Sequence, residues 1–369
     1  MSSLKQSIEK IQDLANDIFK IGNKSIIGID IGLSQVKVAE MKRSSGNFKL
    51  LNYVSIDLPE GSLIEDDIQK ADEITKAIEL AVDQLKTTAQ NAAIGLFGPN
   101  TVAKKLQIPG GSDEEIDDQV SWEAEQYLPF NIEESSLAFH VFGENEGGGV
   151  DVLLAAARAD ILEMFKELVE NTSQKIKVKI VDLSIVAVTN VFKHVLNDRI
   201  DDPTQSYIFL DIGAQKTDFI IWKKNGIVFA KEVPIGGVII TEEIQRQMGV
   251  NYIEAEELKI IGDENGNLPE EIVEIVEDIL DSFFSEVKKT IDFYITSSSD
   301  DGIAECFVTG GGSLIPGAIE GLESNLDVPV TIFSPFEVLD YDKKKFSDEE
   351  INNISFRGCT AMGLAMREL

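Results

Sequence analysis

Basic residues are scarce in this 369-residue sequence. It contains 33 lysines and arginines against 65 aspartates and glutamates, which gives a formal net charge of -32 at pH 7. A chain with this charge is repelled by the phosphates of nucleic acids and by anionic lipid headgroups. We therefore expect no binding to nucleic acid and no direct electrostatic docking on a membrane, so that any link to a membrane runs through a partner.

Cysteine, histidine and long apolar runs are also rare. Cys306 and Cys359 lie in apolar surroundings without metal-ligand spacing, which predicts reduced core thiols in a cytoplasmic protein. His140 and His194 have no neighbours that would support acid–base chemistry. No uncharged apolar run approaches the roughly 18 residues of a membrane-spanning helix, and the N-terminus has no signal-peptide pattern. The sequence predicts a soluble protein.

Two stretches with the same pattern suggest phosphate chemistry. In "IIGIDIGLSQVKVAEMK" (26–42) and "YIFLDIGAQKTDFIIWK" (207–223), an apolar strand ends in Asp-Ile-Gly. The glycine lets the backbone approach an anion closely, and the aspartate can hold the hydration shell of Mg²⁺. Lys37 follows the first turn and could return to the same phosphates. A single copy is most simply an ordinary turn, but two copies predict duplicated domains that face each other across a shared nucleotide.

A third stretch supports a nucleotide site. "VTGGGSLIPG" (308–317) ends a predicted strand in three glycines and opens a helix at Pro316. Such a flat backbone suits contact with a nucleoside. The alternative is a tight strand-to-helix turn, although three consecutive glycines are more than a turn needs.

The predicted domain order has three parts. Residues 1–24 form an amphipathic leader that packs on its own domain or on a partner helix rather than entering a membrane. The first domain covers 25–198. The second covers 205–369, and its C-terminal helix, 355–369, returns to the first domain. We interpret "GDENGN" (262–267) as a turn and not as a calcium loop, because Leu268 stands where that loop requires glycine.

The first domain carries an acidic insert at about 106–175. Residues 106–157 contain twelve acids and no lysine or arginine. The predicted order is βαββα, with a helix at 113–127 that Ser112 caps. On this helix Ile116, Val120, Ala124 and Tyr127 share one face, which should pack on the strands of the insert. Trp122 points away from that face and is either buried against the first domain or displayed.

Taken together, these motifs resemble the actin/Hsp70/hexokinase ATPase superfamily. The acidic insert resembles the 1C subdomain of the FtsA branch. The runs "WEAEQYLPF", "VDLSIVAV" and "EAEELK", with Ala214 in the second hairpin, are similar to the type IV pilus assembly PilM family. The resemblance implies an α/β fold in which duplicated actin-like, RNase H-like ATPase domains surround a nucleotide cleft and carry a 1C insert.

The resemblance also implies a set of residues that bind ATP and Mg²⁺. Asp30 and Asp211 would hold the metal, Asp211 and Asp182 would serve catalysis, and Glu256 with Lys259 would bracket the ribose and adenine. The remaining cofactor-binding residues would be Gly32, Ser34, Lys37, Gly213, Lys216, Thr217, Gly310, Gly311 and Gly312. The second hairpin reads Ala-Gln-Lys-Thr where many active members have Gly-Gly-Thr-Thr. We therefore expect ATP binding with slow or no hydrolysis.

The function that this resemblance implies is a scaffold of type IV pilus assembly at the inner face of the inner membrane. Its partner would be the N-terminal cytoplasmic tail of a PilN-like inner-membrane protein, with pilus motor ATPases as further partners and self-association left open. The nucleotide state would tune the partner contacts. We expect the tail to dock between the insert and the first domain, with an apolar anchor near Trp122. The acids of the insert favour a tail that carries lysine or arginine.

Other functions remain open at this stage. A filament-forming division protein like FtsA would carry a linker and a membrane-targeting helix after Leu369. A small-molecule kinase of the same fold would need a catalytic base, for which the sequence has no further carboxylate motif. The cytoplasmic half of a GspL-like secretion protein would continue into a transmembrane segment.

Overall fold

The structure, a computed structural model, describes residues 25–369 except 45, 146, 198, 201, 203, 225, 262–267, 299 and 301. The predicted leader and the predicted turn at 262–267 lie outside the described residues. Within them, no helix combines the length and the apolar character that a bilayer crossing requires. Cys306 and Cys359 are both free and buried, which confirms that they are core thiols.

The first large sheet contains six strands. Its strands are β1 (Ile26–Ile31), β2 (Gln35–Ser44), β3 (Asn47–Asp57), β6 (Asn91–Leu96), β10 (Lys177–Leu183) and β16 (Asp340–Tyr341), in the order β10-β6-β1-β2-β3-β16. The strands β1, β2 and β3 are antiparallel neighbours, whereas β6 and β10 run parallel to β1. All six residues of β1 are buried, as expected for a central strand that is covered on both faces. A two-stranded ribbon, β4 (Leu63–Ile64) and β5 (Asp67–Ile68), follows β3.

The second sheet repeats this arrangement. Its strands are β11 (Ser206–Ile212), β12 (Thr217–Lys223), β13 (Gly226–Val233), β14 (Ile303–Thr309) and β15 (Val330–Ile332), in the order β13-β12-β11-β14-β15. Here too three antiparallel strands are joined to two parallel ones. Because β1 and β11 occupy equivalent places, the two Asp-Ile-Gly turns lie at equivalent edges of the two sheets.

The insert is a small separate layer. Its sheet has the order β7-β9-β8, from β7 (Thr101–Ile108), β8 (Ser135–Glu144) and β9 (Val150–Arg158), and α2 (Asp113–Tyr127) covers it. A capping box at Ser112 begins α2, as the sequence predicts. Ile116, Val120 and Ala124 are buried against the sheet, whereas Tyr127 is largely exposed beneath the Lys104 ammonium. Trp122 is 65% exposed, so it is displayed.

The other helices cover the two large sheets. They are α1 (Ala71–Leu85), α3 (Ala159–Glu170), α4 (Ser184–Leu196), α5 (Gly237–Met248), α6 (Tyr252–Ile261), α7 (Glu270–Ser297), α8 (Ala318–Leu326), α9 (Asp348–Arg357) and α10 (Cys359–Ala365). Helix α3, which we expected in the insert, packs on β10 and α1 and contributes to the core of the six-stranded sheet. At the junction of the two sheets, Phe192 of α4 contacts the rings of Phe209, Trp222, Phe307 and Phe333.

The C-terminal segment differs from the single helix predicted over 355–369. It consists of α9 and α10, which meet at Gly358. A Cβ at Gly358 would lie 2.9 Å from the Ile354 carbonyl oxygen and 3.0 Å from the Tyr53 ring, so the close packing against β3 leaves no room for a side chain at the bend. Helix α10 then packs on β1, β2, β6 and α4 of the six-stranded sheet.

Candidate functional site

The first hairpin brings Asp30 and Lys37 together. The two residues are direct partners across β1 and β2, and Lys37 Nζ lies 3.1 Å from Asp30 Oδ2. Both side chains are largely buried. The chain therefore doubles back between the two residues, as predicted, and places the Lys37 ammonium beside Asp30; its contact with phosphates stays a prediction.

The second hairpin carries its own buried lysine. Lys216 Nζ lies 2.6 Å from Asp218 Oδ1 and also pairs with Glu232 of β13. Burial alone would lower the pKa of Lys216, but the charges of Asp218 and Glu232 outweigh it and raise that pKa. Glu232 Oε2 also accepts a hydrogen bond of 2.9 Å from the Gly98 backbone N–H, at the end of β6. Glu232 therefore links the edges of the two large sheets.

Asp211 lies where the two hairpins meet. The pKa of Asp211 is raised to about 7, chiefly by burial and also by the charges of Asp218 and Asp30, against the opposing charges of Lys37 and Lys216. Charged residues of both hairpins are thus close enough to Asp211 to shift its pKa. We call Asp30, Lys37, Asp211, Lys216 and Asp218 the hairpin site.

The glycines and hydroxyls of the hairpins have structural partners. The N–H of Gly32 donates to the Gln35 carbonyl at 3.0 Å, and that of Gly213 donates to the Lys216 carbonyl at 2.9 Å. Both N–H groups therefore close the turns. Thr217 is fully buried, and its hydroxyl donates to the Ile235 carbonyl oxygen at 2.8 Å.

In contrast, Ser34 is exposed at the tip of the first hairpin. It is the one hydroxyl among the predicted cofactor-binding residues that the structure leaves open to solvent.

The glycine triplet lies directly beside Asp211. A Cβ at Gly310 would come within 2.5 Å of Asp211 Oδ1, and one at Gly312 within 2.3 Å of the Ile212 side chain. Gly310 also has a φ of 90°, which favours glycine. Two of the three glycines thus let the end of β14 approach the end of β11. At Gly311 the nearest neighbour is Arg357, whose Nε would be 3.7 Å from a Cβ.

Glu256 and Lys259 form a network at the start of α5. Lys259 Nζ lies 2.6 Å from Glu256 Oε2 and donates to the Thr241 hydroxyl at 2.8 Å and to the Gly237 carbonyl at 3.1 Å. Burial lowers the pKa of Lys259, and the nearby Arg357 lowers it further, although Glu256 opposes the change. The two predicted nucleoside-binding side chains therefore face the same region as Gly311.

Arg357 lies beside the predicted site residue Gly311 and is not among the residues that the sequence analysis predicts. It ends α9 and is exposed next to Gly311. The sequence signal was weak, because "SFRGCT" has no motif that distinguishes a binding arginine from one that complements a helix C-terminus.

Asp182 lies in a different place from the hairpin site. It is buried at the end of β10, where its Oδ1 accepts from the Leu183 N–H at 2.9 Å. Arg367 Nε lies 3.1 Å from Oδ2 as an ion pair, but without the alignment of a hydrogen bond. Burial raises the pKa of Asp182, and the charge of Arg367 opposes this. Among the described contacts, none joins Asp182 to Asp30 or Asp211.

Asp182 instead lines a groove between the insert and the first domain. The groove encloses about 430 Å³ between β8 of the insert and β10 with α4 of the six-stranded sheet. Both β8 and β10 are edge strands of their sheets. Trp222 and Ile227 of the second domain complete the wall. The predicted space between insert and first domain is therefore present.

The chemical character of the groove differs from the prediction. The tryptophan in its wall is Trp222, whereas Trp122 lies outside the lining. The charged groups of the lining are Asp182, Lys193 and Arg367, and no acid of the insert that the structure describes is among them. Trp122, near which the sequence analysis expects the apolar anchor, therefore lies outside the groove wall, where the packing of the second domain places Trp222 instead.

Helix α10 connects the two regions. Thr360, the second residue of the helix, donates a hydrogen bond from Oγ1 to Asp211 Oδ2 at 3.4 Å. Arg367, two residues after the helix ends, pairs with Asp182. The helix is closely packed, since a Cβ at Gly363 would lie 2.0 Å from the Ala187 carbonyl oxygen of α4. One short helix therefore contacts both the hairpin site and the groove.

Comparison with known families identifies the chain. Residues 28–369 match the family model of the type IV pilus assembly protein PilM. The chain belongs to the PilM family. This confirms the predicted resemblance, and it favours pilus assembly over the division-protein and kinase alternatives.

Solved structures share the fold of this PilM family member over nearly its whole length. A structure described as the PilM–PilN type IV pilus biogenesis complex has 24% identity and a TM-score of 0.81, covering 93% of this chain and 98% of that chain. The ethanolamine utilization protein EutJ from Carboxydothermus hydrogenoformans has 14% identity and a TM-score of 0.56, covering 93% and 89%.

A third match is a diol dehydratase-reactivating factor in its nucleotide-free form. It has 11% identity and a TM-score of 0.53, covering 92% of this chain and 99% of that chain. The predicted fold class, an actin-like ATPase fold, is confirmed.

Proposed function

We propose that this PilM family member is an ATP-binding scaffold that holds the N-terminal tail of a PilN-like membrane protein. The groove carries this proposal. It lies between two sheet edges, its size of about 430 Å³ is in the range of ligand sites, and the structure of a PilM–PilN complex contains the same fold. The tail partner would place the protein at the inner face of the inner membrane.

Two buried polar atoms without a hydrogen-bond partner support a peptide ligand in the groove. Among the described residues that line it, Asp182 Oδ2 has only its ion pair with Arg367, and Trp222 Nε1 has no hydrogen-bond partner. Buried polar groups normally have partners, so such atoms are expected where a ligand completes them. An extended peptide offers N–H and C=O groups to satisfy them, and the open edges of β8 and β10 could accept an added strand.

The hairpin site supports a nucleotide with a divalent cation. It contains the carboxylates Asp30, Asp211 and Asp218 with the lysines Lys37 and Lys216, so a polyphosphate without a cation would be repelled. No group of three or more potential ligand side chains among the described residues forms a metal cage. This fits Mg²⁺, which keeps several waters and is bound through one or two carboxylates together with substrate phosphates.

When bound, the cation would neutralise the phosphates. Asp30 and Asp211 would orient its water ligands, and Lys37 would contact phosphate oxygens. Lys216 would have to leave Asp218 or Glu232 to do the same. Asp182, paired with Arg367 in the groove, would act on the tail and not on the nucleotide. We retain slow or absent hydrolysis as a prediction, because the hydroxyl of Thr217 is held by Ile235.

The test of the groove uses the full chain and a synthetic peptide with the sequence of the tail of a PilN-like protein from the same genome. Trp122→Phe removes the exposed indole, so that the remaining fluorescence reports on Trp222 in the groove. We expect a saturable change on titration. Ala138→Phe, made in the Trp122→Phe background, should abolish it without adding an indole, because Ala138 is an exposed residue of β8 in the groove lining. Val141→Phe is the matched control, since Val141 is also exposed on β8 but lies outside the lining.

Equal peptide binding in Ala138→Phe and Val141→Phe would place the docking site elsewhere. The nucleotide part is tested separately by calorimetric titration of ATP with Mg²⁺. An absence of heat and of any melting shift at saturating ATP–Mg²⁺, in protein freed of retained nucleotide, would remove the ATP-binding part of the proposal.

A further inference from the structure

Arg357 differs from the other arginines of the chain in having no ionic partner among the residues that the structure describes. The structure describes all six arginines. Five of them form ion pairs, at positions 43, 158, 199, 246 and 367. No described acid pairs with Arg357, in a chain that has 65 acidic and only 33 basic residues. With so many carboxylates available, a guanidinium without one is most simply explained by another partner.

The position of Arg357 indicates what that partner is. Its Nε would be 3.7 Å, and its Cγ 3.8 Å, from a Cβ at Gly311, and no other group comes within 4 Å of that position. One side of the guanidinium therefore rests beside the bare backbone of Gly311, and the residue is otherwise exposed. Its charge is also close enough to Lys259 to lower the pKa of that residue. Arg357 thus faces the region where Lys259 and the glycine triplet converge.

Helix geometry explains only part of this arrangement. An arginine in the last turn of α9 is stabilised by the helix dipole, typically by about 0.3–1 kcal/mol. That interaction requires the charge to be near the helix end, but it does not require the side chain to extend to Gly311. A second observation points to a ligand at the same corner. Tyr53 Oη is buried without a hydrogen-bond partner; burial raises the pKa of this hydroxyl, and the nearby charge of Arg357 opposes the rise.

We propose that Arg357 binds the nucleoside of the bound nucleotide, with the open face of its guanidinium stacked on the purine. This inference rests on the proposed nucleotide site and names a specificity residue within it. A planar guanidinium stacks on aromatic rings through its face, which a lysine ammonium cannot reproduce. The Nε side of the guanidinium lies beside Gly311, and the absence of a side chain at that glycine leaves space for it.

The experiment compares affinities for ATP, ADP and adenosine, each measured by calorimetry on the full chain. Arg357→Ala should weaken all three by the same factor, roughly threefold to thirtyfold, because the contact is to the nucleoside. Arg357→Lys should recover little of this loss. The matched control is Arg246→Ala, which removes an exposed arginine that pairs with Glu243 on α5.

Each other outcome has a defined meaning. Unchanged affinities in Arg357→Ala, with wild-type binding of ATP intact, would overturn the inference and leave only the helix-end role. A loss that grows with the number of phosphates and is rescued by lysine would show a phosphate contact and would equally overturn stacking. Arg357→Gln replaces the alanine variant if that variant does not fold. Failure of the wild-type protein to bind any of the three ligands would remove the nucleotide site itself.

Discussion

The raised pKa of Asp211 makes the proposed nucleotide site sensitive to pH. An aspartate in an unfolded chain has a pKa of about 3.9, whereas burial and the charge of Asp218 raise the pKa of Asp211 to about 7. A carboxyl group must be ionised to hold the water shell of Mg²⁺. Its ionised fraction rises from about one tenth at pH 6 to about nine tenths at pH 8. If only the ionised form binds, the affinity for ATP–Mg²⁺ should rise about tenfold, or about 1.4 kcal/mol, over this range.

The assay is calorimetric titration of ATP–Mg²⁺ at pH 6, 7 and 8, in wild-type protein and in Asp211→Asn. ATP itself titrates, so the affinity of the Asp211→Asn variant also changes with pH. The difference between the pH dependence of the wild-type affinity and that of the variant is the contribution of Asp211. In buffers of different ionisation enthalpy, only the wild-type protein should release the additional proton near pH 6. Parallel slopes in the two proteins would refute the reasoning.

The same group affects the stability of the nucleotide-free protein. Its native pKa is higher than its unfolded pKa, so between about pH 4 and pH 7 the native state binds more protons than the unfolded state. The free energy of unfolding should therefore fall as the pH rises through this window. Melting scans should show this fall reduced in Asp211→Asn.

Three further predictions concern packing and charge. Lys216→Met should lower both the melting temperature and the affinity for ATP–Mg²⁺, because it removes the cation that pairs with the buried Asp218 and the half-buried Glu232; equal melting of wild type and variant would contradict this. Gly28→Ala should destabilise by about 1–3 kcal/mol in denaturant unfolding, because its Cβ would lie 2.0 Å from the Ala361 carbonyl oxygen, whereas Gly147→Ala should be near neutral. Tyr53→Phe should leave the melting temperature of the nucleotide-free protein unchanged or higher, because the hydroxyl that it removes is buried without a partner.

The local patterns of the sequence predicted the hairpins well. A buried strand that ends in Asp-Ile-Gly specifies a turn within a few residues, so the contact between Asp30 and Lys37 follows from β geometry alone. Duplication of the pattern then implied that the two turns face each other, and the effects of both hairpins on Asp211 agree with this. The burial of one face of α2 also followed from its helical period, for Ile116, Val120 and Ala124.

The features that the sequence did not predict depend on distant packing. Arg357 reaches Gly311 because α9 packs beside the end of β14, and no short-range pattern encodes that contact. The sequence predicts that Trp222 is an ordinary core residue of β12. It lines the groove only because the second domain packs against the first. The hydroxyl of Thr217 can donate a hydrogen bond to a phosphate or to a backbone carbonyl. In the structure it donates to the Ile235 carbonyl, whose position depends on the path of the chain and not on a local motif.

The position of α10 gives the proposed scaffold a physical route between nucleotide and tail. Thr360 contacts Asp211, and Arg367 pairs with Asp182 in the groove, so a displacement of this closely packed helix would affect both places. If ATP–Mg²⁺ changes the affinity for the tail peptide by some factor, the peptide must change the affinity for ATP–Mg²⁺ by the same factor. Titrating each ligand with and without the other measures that factor twice. In Arg367→Gln, each ligand should change the affinity for the other by a factor closer to one. This holds even if the variant alters the affinity for either ligand on its own. An unchanged factor would assign the coupling to another contact between the sheets, such as the bond from Gly98 to Glu232.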